Sequence, residues 1–201
     1  MIKTVMLDLG NVIVPVDFRR CHDELGKVCR FPPDQIQARL SGAGLVERFE
    51  TGATSSEEFF REVCRVLDMK VTWPRFWEIW SSIFAPETLI PEPLIEGLSR
   101  NRRLLLLSNT NANHFEWIKE NYPLLRHFDA YILSYEVGAM KPSPRIYEEA
   151  IASAGCRPEE CFFTDDVASY VEAARRAGID AIQFRSLPQL EQELAARGLT
   201  W

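Results

Sequence analysis

No stretch of this sequence is long and apolar enough to cross a bilayer. The longest purely aliphatic run, Leu104 to Leu107, falls far short of the roughly 20 residues a membrane helix needs. A basic surplus is also missing: 23 Lys and Arg stand against 29 Asp and Glu, a net charge of −6. Nucleic-acid binders show the opposite balance, so no nucleic-acid partner is expected. Cys21, Cys29, Cys64, Cys156 and Cys161 form an odd set without a CxxC pair. That excludes a disulfide scaffold and predicts free thiols in a reducing cytoplasm. His22, His114 and His127 are scattered without metal-ligand spacing. Repeats and low-complexity tracts are absent, and the opening Met1-Ile2-Lys3-Thr4-Val5 lacks the pattern of a secretory signal.

What is present is a chain of 201 residues, 46% hydrophobic and 26% charged. That suits one large domain, or a domain with an insert. Short apolar runs predict buried strands at Thr4–Leu7, Leu104–Leu107, Ala130–Leu133, Cys161–Phe163 and Ala181–Phe184. Helical patterns separate the later ones: Asn113–Asn121, Pro144–Ala154 with Ser143 as N-cap, Ser169–Ala177 stopped by Gly178, and Leu187–Arg197 stopped by Gly198. Strand alternating with helix predicts an α/β fold with a parallel sheet. Residues 17–84 differ. They hold no convincing strand, but a capping-box-like Ser55-Ser56-Glu57-Glu58 precedes Phe59, Phe60, Val63, Val66 and Leu67 at helical spacing. Trp73, Trp77, Trp80 and Phe84 form a second stripe, expected to be packing. The expectation is a helical insert at 17–84 and a core made of 1–16 and 85–201, with Pro86–Pro93 as the return linker.

Chemistry gathers where the strands end. Asp8 ends the first and Ser108-Asn109 the second. Lys141-Pro142 follows the third, and Asp165-Asp166 ends the fourth. In an open parallel sheet, ligands bind beyond the carboxyl ends of the strands, so these groups would share one crevice. Singly, each is an ordinary turn residue; order and convergence make them a site. Asp8, Asp165 and Asp166 would repel one another unless a cation lay between them. Hard oxygen donors suit Mg²⁺. A carboxylate nucleophile, a divalent cation, a lysine and short polar donors suit phosphoryl transfer through an aspartyl-phosphate.

Asp8-Leu9-Gly10-Asn11-Val12, Ser108-Asn109-Thr110, Lys141-Pro142 and Phe163-Thr164-Asp165-Asp166 resemble, in order, the four motifs of the haloacid dehalogenase-like (HAD) hydrolase superfamily. The segment Gly138 to Tyr147 and the helical insert, similar to a C1-type cap, extend the resemblance over nearly the whole chain. The first motif, with Glu47-Arg48-Phe49-Glu50-Thr51-Gly52, is most similar to the alpha-D-glucose-1-phosphate phosphatase branch. The resemblance implies a Rossmann-like core with strand order 5-4-1-2-3 and a phosphatase acting on a small phosphorylated metabolite, a sugar phosphate among the candidates. By position it implies Asp8 as nucleophile, Ser108 holding the phosphoryl group and Lys141 neutralising charge. Asn109, Gly10 and Asn11 would contact substrate. Asp8, the Gly10 carbonyl, Asp165 and Asp166 would hold Mg²⁺. Oligomeric state is not implied.

Two departures stand out. Most relatives carry a second Asp two residues after the nucleophile, as general acid and base. Here that residue is Gly10, and Asp17 is a substitute only if it is not a helix N-cap. Val167, Ser169 and Tyr170 also stand where relatives carry polar or acidic side chains. These departures keep a non-catalytic binding or regulatory role as an alternative. A metal-free dehalogenase is the other, and Asp165-Asp166 argues against it.

Overall fold

The computed structural model describes residues 1–201. Its centre is a five-stranded sheet of β1 (Thr4–Leu7), β2 (Arg103–Ser108), β3 (Ala130–Leu133), β4 (Cys161–Asp165) and β5 (Asp180–Gln183). All pairings are parallel, in the order β3-β2-β1-β4-β5. This is the predicted order read from the other edge. The runs are apolar throughout because both faces are covered. Val5, Leu7, Leu104, Leu106, Phe162 and Ile182 pack on one side; Met6, Leu105, Leu107, Phe163 and Ala181 pack on the other. Period-two alternation divides each strand between two cores.

Five helices follow β1: α1 (Phe18–Gly26), α2 (Pro33–Gly42), α3 (Leu45–Glu50), α4 (Ser56–Val66) and α5 (Trp73–Ser81). Then come α6 (Glu92–Ser99), α7 (Ala112–Asn121), α8 (Ser134–Val137), α9 (Pro144–Ala154), α10 (Ala168–Arg176) and α11 (Leu187–Ala196). Helices α6, α7 and α11 cover the first face and α9 and α10 the second. The buried side chains of α1–α5 join the first core without a break. The two chain segments linking the insert to the sheet run side by side. Leu89 N–H donates to the Ile13 carbonyl (2.8 Å), Ala85 N–H to Pro15 (3.2 Å) and Asp17 N–H to Ile83 (2.9 Å).

Several local expectations need amendment. The full capping box of α4 forms on Ser55 and Glu58, and Phe59, Val63 and Leu67 are its buried stripe. Gly178 and Gly198 follow their helices with positive φ, as stops require. Ser143 occupies its N-cap position but makes no capping hydrogen bond. The linker ends sooner than expected, because Glu92-Pro93 begin α6. The tryptophan stripe is only half core: Trp80 and Phe84 are buried, Trp73 is exposed, and the fully buried aromatic of α5 is Phe76.

Candidate active site

Strand ends place the charged groups. Asp8 follows β1 directly, Ser108 is the last residue of β2, and Asp165 is the last of β4. Because β1 lies between β2 and β4, the three meet at one edge of the sheet. Lys141 arrives from the turn before α9 and sits 2% exposed among them. Its Nζ donates to Asp8 Oδ1 (2.7 Å), Asp165 Oδ2 (2.6 Å) and the Leu107 carbonyl (3.0 Å). An ammonium has three protons, and all are used.

The charge does not balance. One carboxylate oxygen from each of Asp8, Asp165 and Asp166 lies within 4.8 Å of the others. With all three ionised, three negative charges against one ammonium leave a surplus of two. Burial raises the Asp8 carboxyl, with Asp165 pushing the same way and Lys141 opposing. Burial works against the Lys141 ammonium, but Asp8 and Asp165 outweigh it and hold it above the usual lysine range. Partial burial also raises Asp166. A divalent cation on hard oxygen donors would cancel the surplus, so the residues fit such an ion.

The other predicted residues divide into those facing open space and those already bonded. Asp8, Gly10, Asn11, Ser108, Asn109, Lys141 and Asp166 line a cavity of about 400 Å³. Asp165 lies behind them, fully buried, with Oδ1 accepting from Val167 N–H (2.8 Å). Asn11 has a left-handed backbone, φ 55°. Its Oδ1 accepts from Val16 N–H (3.0 Å) and its Nδ2 donates to Asp166 (3.3 Å). Asn11 therefore clasps the loop after β1 to Asp166, with one amide proton and one oxygen lone pair left over. Asn109 clasps Lys141 in the same way, accepting from its N–H (2.7 Å) and donating to its carbonyl (3.0 Å). Gly10 has no positive φ. A Cβ there would meet only Val16 Cγ2, at 3.4 Å.

Asp17 is not the missing acid. It is the α1 N-cap, accepting from Arg19 N–H (3.0 Å) and paired with the Arg19 guanidinium (2.9 Å). That pairing holds its carboxyl below the usual range. Of the remaining cavity wall, Thr110, His114, Met140, Val167 and Tyr170 come from the core, and the insert supplies Phe18, His22, Leu40, Val46, Trp80 and Phe84, with Glu50 among them. Of the charged residues in the Glu47–Gly52 segment, Glu47 and Arg48 are exposed and Glu50 is half-buried. It makes no hydrogen bond or ion pair with the protein, and burial pushes its carboxyl up to about 7. Sequence reasoning also passed over His114. It is buried, its Nδ1 faces Asn111 Nδ2 (3.1 Å) and its Nε2 faces the Trp80 carbonyl (3.1 Å). Only the neutral ring with its proton on Nε2 satisfies both partners, and burial lowers its pKa to about 4. The Asn-x-x-His spacing at the start of α7 is the only sequence signal for this arrangement.

The profile of haloacid dehalogenase-like hydrolases matches residues 2–178. The chain belongs to that family. This HAD-like hydrolase is 28% identical to a D-ribitol-5-phosphate phosphatase of Bacteroides thetaiotaomicron, over 96% of this chain and 97% of the relative. A HAD family enzyme of the same bacterium, solved with magnesium and inorganic phosphate, superposes with a TM-score of 0.82 at 27% identity, covering 93% of this chain and 96% of that one. A predicted HAD-like hydrolase from Porphyromonas gingivalis gives the same TM-score and identity over 96% and 98%. The match covers sheet and insert alike, so the five-helix insert belongs to the shared architecture.

Proposed function

We propose that this hydrolase is a Mg²⁺-dependent phosphatase that cleaves a small phosphorylated metabolite through an aspartyl-phosphate on Asp8. The observation that carries this is the cluster of three carboxyls, Asp8, Asp165 and Asp166, gathered within 4.8 Å around the one buried ammonium of Lys141. Relatives named as phosphatases, and one solved with magnesium and phosphate, support it. Asp8, Asp165, Asp166 and the Gly10 carbonyl would hold the ion. When bound, Mg²⁺ would offset the charge of the phosphoryl oxygens as Asp8 approaches them.

This chain's own residues do the following. Lys141 fixes Asp8 by Oδ1, leaving Oδ2 as the oxygen not engaged by the ammonium. That oxygen attacks phosphorus, the ester P–O bond breaks, and the leaving oxygen departs with the bonding pair as an alkoxide or phenolate, which takes its proton from water. Ser108, at the end of β2, faces the same cavity and donates to a phosphoryl oxygen. Water then attacks the aspartyl-phosphate and releases inorganic phosphate. The helices of 17–84 act as a cap over this space, excluding bulk water. The first motif and Glu47–Gly52 support placement beside the glucose-1-phosphate phosphatase branch, with a sugar or polyol monophosphate as substrate. Five free thiols support a reducing, cytoplasmic setting.

The test is phosphate release from p-nitrophenyl phosphate and a panel of sugar phosphates, for the wild type and Asp8→Asn, with Mg²⁺ or EDTA. Asn keeps the shape but is a far poorer nucleophile, so a loss of at least about a thousandfold is expected. Full activity in EDTA, or retained activity in Asp8→Asn, would overturn the reading.

A further inference from the structure

The cavity beyond Asp8 is short of positive charge. Lys141 is its only lysine or arginine, and all three of its protons point to Asp8, Asp165 and the Leu107 carbonyl. His114 is held neutral by its two partners. His22 is kept toward its neutral form by burial. Away from the Asp8 cluster, the charged group on the wall is Glu50, the last residue of α3. A cleft beside the cavity, between α3 and the turn carrying Lys141, is lined by Glu47 and Glu50 and again by no free cation.

An anionic arm on the substrate would therefore find no partner in this space and, above about pH 7 where Glu50 is mostly ionised, would face a carboxylate. A hydroxyl would find an acceptor, because Glu50 has no bond to the protein. Elsewhere on the same wall, the buried Trp80 and Phe84 add apolar aromatic surface that can pack against the C–H groups of a carbon chain or sugar ring. Resting on the phosphatase reading, we propose that Glu50 sets a charge rule for the leaving group: neutral polyhydroxyl groups are admitted, and groups bearing a second anion are repelled. The substrate class is thereby a sugar or polyol monophosphate, as opposed to a phosphorylated carboxylic acid or a bisphosphate.

Two ligands differing only at the far end test this. Glycerol 3-phosphate and 3-phosphoglycerate share a three-carbon skeleton and a phosphoryl group; one ends in a hydroxymethyl group and the other in a carboxylate. Like charges about 5 Å apart in a partly desolvated site repel enough to give roughly tenfold to hundredfold discrimination. At about pH 8.5, where Glu50 is ionised, the kcat/KM ratio in Mg²⁺ should favour glycerol 3-phosphate by that factor in the wild type. Glu50→Gln should shrink the ratio about fivefold or more, acting through the KM of the acid. Glu50→Lys should shrink it further, and Glu50→Asp should keep most of it. Dissociation constants of both ligands, measured by calorimetry on Asp8→Asn and on Asp8→Asn with Glu50→Gln, supply a readout independent of turnover. Equal wild-type preference for the two ligands, or a ratio unmoved in Glu50→Gln and Glu50→Lys, overturns the charge rule. Discrimination in binding with no phosphate release from any ester would overturn the phosphatase reading and leave the charge rule standing.

Discussion

The two sides of the cavity are built by different means. On the sheet side, Lys141 has no free proton, Asp165 is bonded through both oxygens, and Asn11 and Asn109 each close a bridge between loops. On the insert side, Glu50 has no protein partner, and the wall is a mixture of aromatic, aliphatic and neutral polar groups. One side is over-determined: each member holds another in place, and removing Lys141 would leave two buried carboxyls without their cation. The other is held by apolar packing in the large core shared by insert and sheet, so its polar tips can change without cutting a network. Chemistry needs fixed geometry, whereas a wall that reads leaving groups needs only shape and sign of charge. Substitutions on the first side should therefore cost stability and rate together, and those on the second should redistribute preference.

The sharpest way to break this contrast is Lys141→Ala. It removes the cation from between two buried carboxylates. Loss of about a thousandfold in kcat/KM is expected, with a stability loss of roughly 3–5 kcal/mol in denaturant unfolding. Lys141→Arg should also lose activity, because a planar guanidinium cannot reproduce three bonds from one nitrogen in a site this buried. Near-normal activity in Lys141→Ala would place the lysine outside the chemistry.

Gly10→Asp comes next. With no acid at this position, the alcohol must leave with little proton assistance. Single-turnover phosphorylation rates should therefore fall steeply as leaving-group pKa rises from aryl to alkyl phosphates. A Cβ at residue 10 meets only the end of Val16, and φ is not left-handed, so the backbone accepts Asp. The variant should flatten the dependence and raise alkyl phosphate rates by up to about a hundredfold. A shallow dependence in the wild type would mean that another group already supplies the proton.

Asp165→Ala and Asp166→Ala separate bonded from open carboxylates. Both should move the Mg²⁺ titration of activity to higher concentration, by about tenfold or more. Only Asp165→Ala should also lower the melting temperature, because Asp165 alone of the two anchors Lys141. Superimposable titrations for wild type and both variants would remove the acids from the metal site.

The smallest effect concerns His114. Its folded pKa of about 4 lies below the ordinary histidine value. The unfolded chain therefore takes up a proton that the native state refuses. The contribution is fully present above about pH 6.5, is lost as pH falls toward 4, and amounts to on the order of 3 kcal/mol at the acid end. His114→Asn should be less stable at neutral pH but show a shallower fall in melting temperature over that window. Parallel curves for the two proteins would show that the ring titrates alike in the native and unfolded states.

Much of this was legible in the sequence. Apolar runs ending at Asp8, Ser108 and Asp165 located the strands and their carboxyl ends, because a strand buried on both faces must be apolar throughout. The nature of the bonds was not legible. Asn11 in the first motif reads as a substrate contact, and only its left-handed backbone and two partners reveal a clasp. Helix α6 was hidden by three prolines and Gly97. Pro93 sits at its start, where proline is tolerated. Gly97 is needed because a Cβ would collide with the Trp201 backbone, a contact far away in sequence. Glu50 was one acid among several in the insert, and nothing but its place on the cavity wall separates it from exposed Glu47.

The paired segments that join insert to sheet act as a ruler. Val16 opposes Phe84 in an antiparallel bridge, both side chains line the cavity, and Val16 also covers Gly10. Side chains alternate along such a ribbon, so a single residue added to or deleted from either segment would turn Val16 or Phe84 away from the cavity. The loop carrying Asp8 and Gly10 would lose its cover even though none of Asp8, Lys141, Asp165 and Asp166 had changed. Length, more than composition, is the constrained property of these two segments. Substitutions there should be tolerated where one-residue insertions are not.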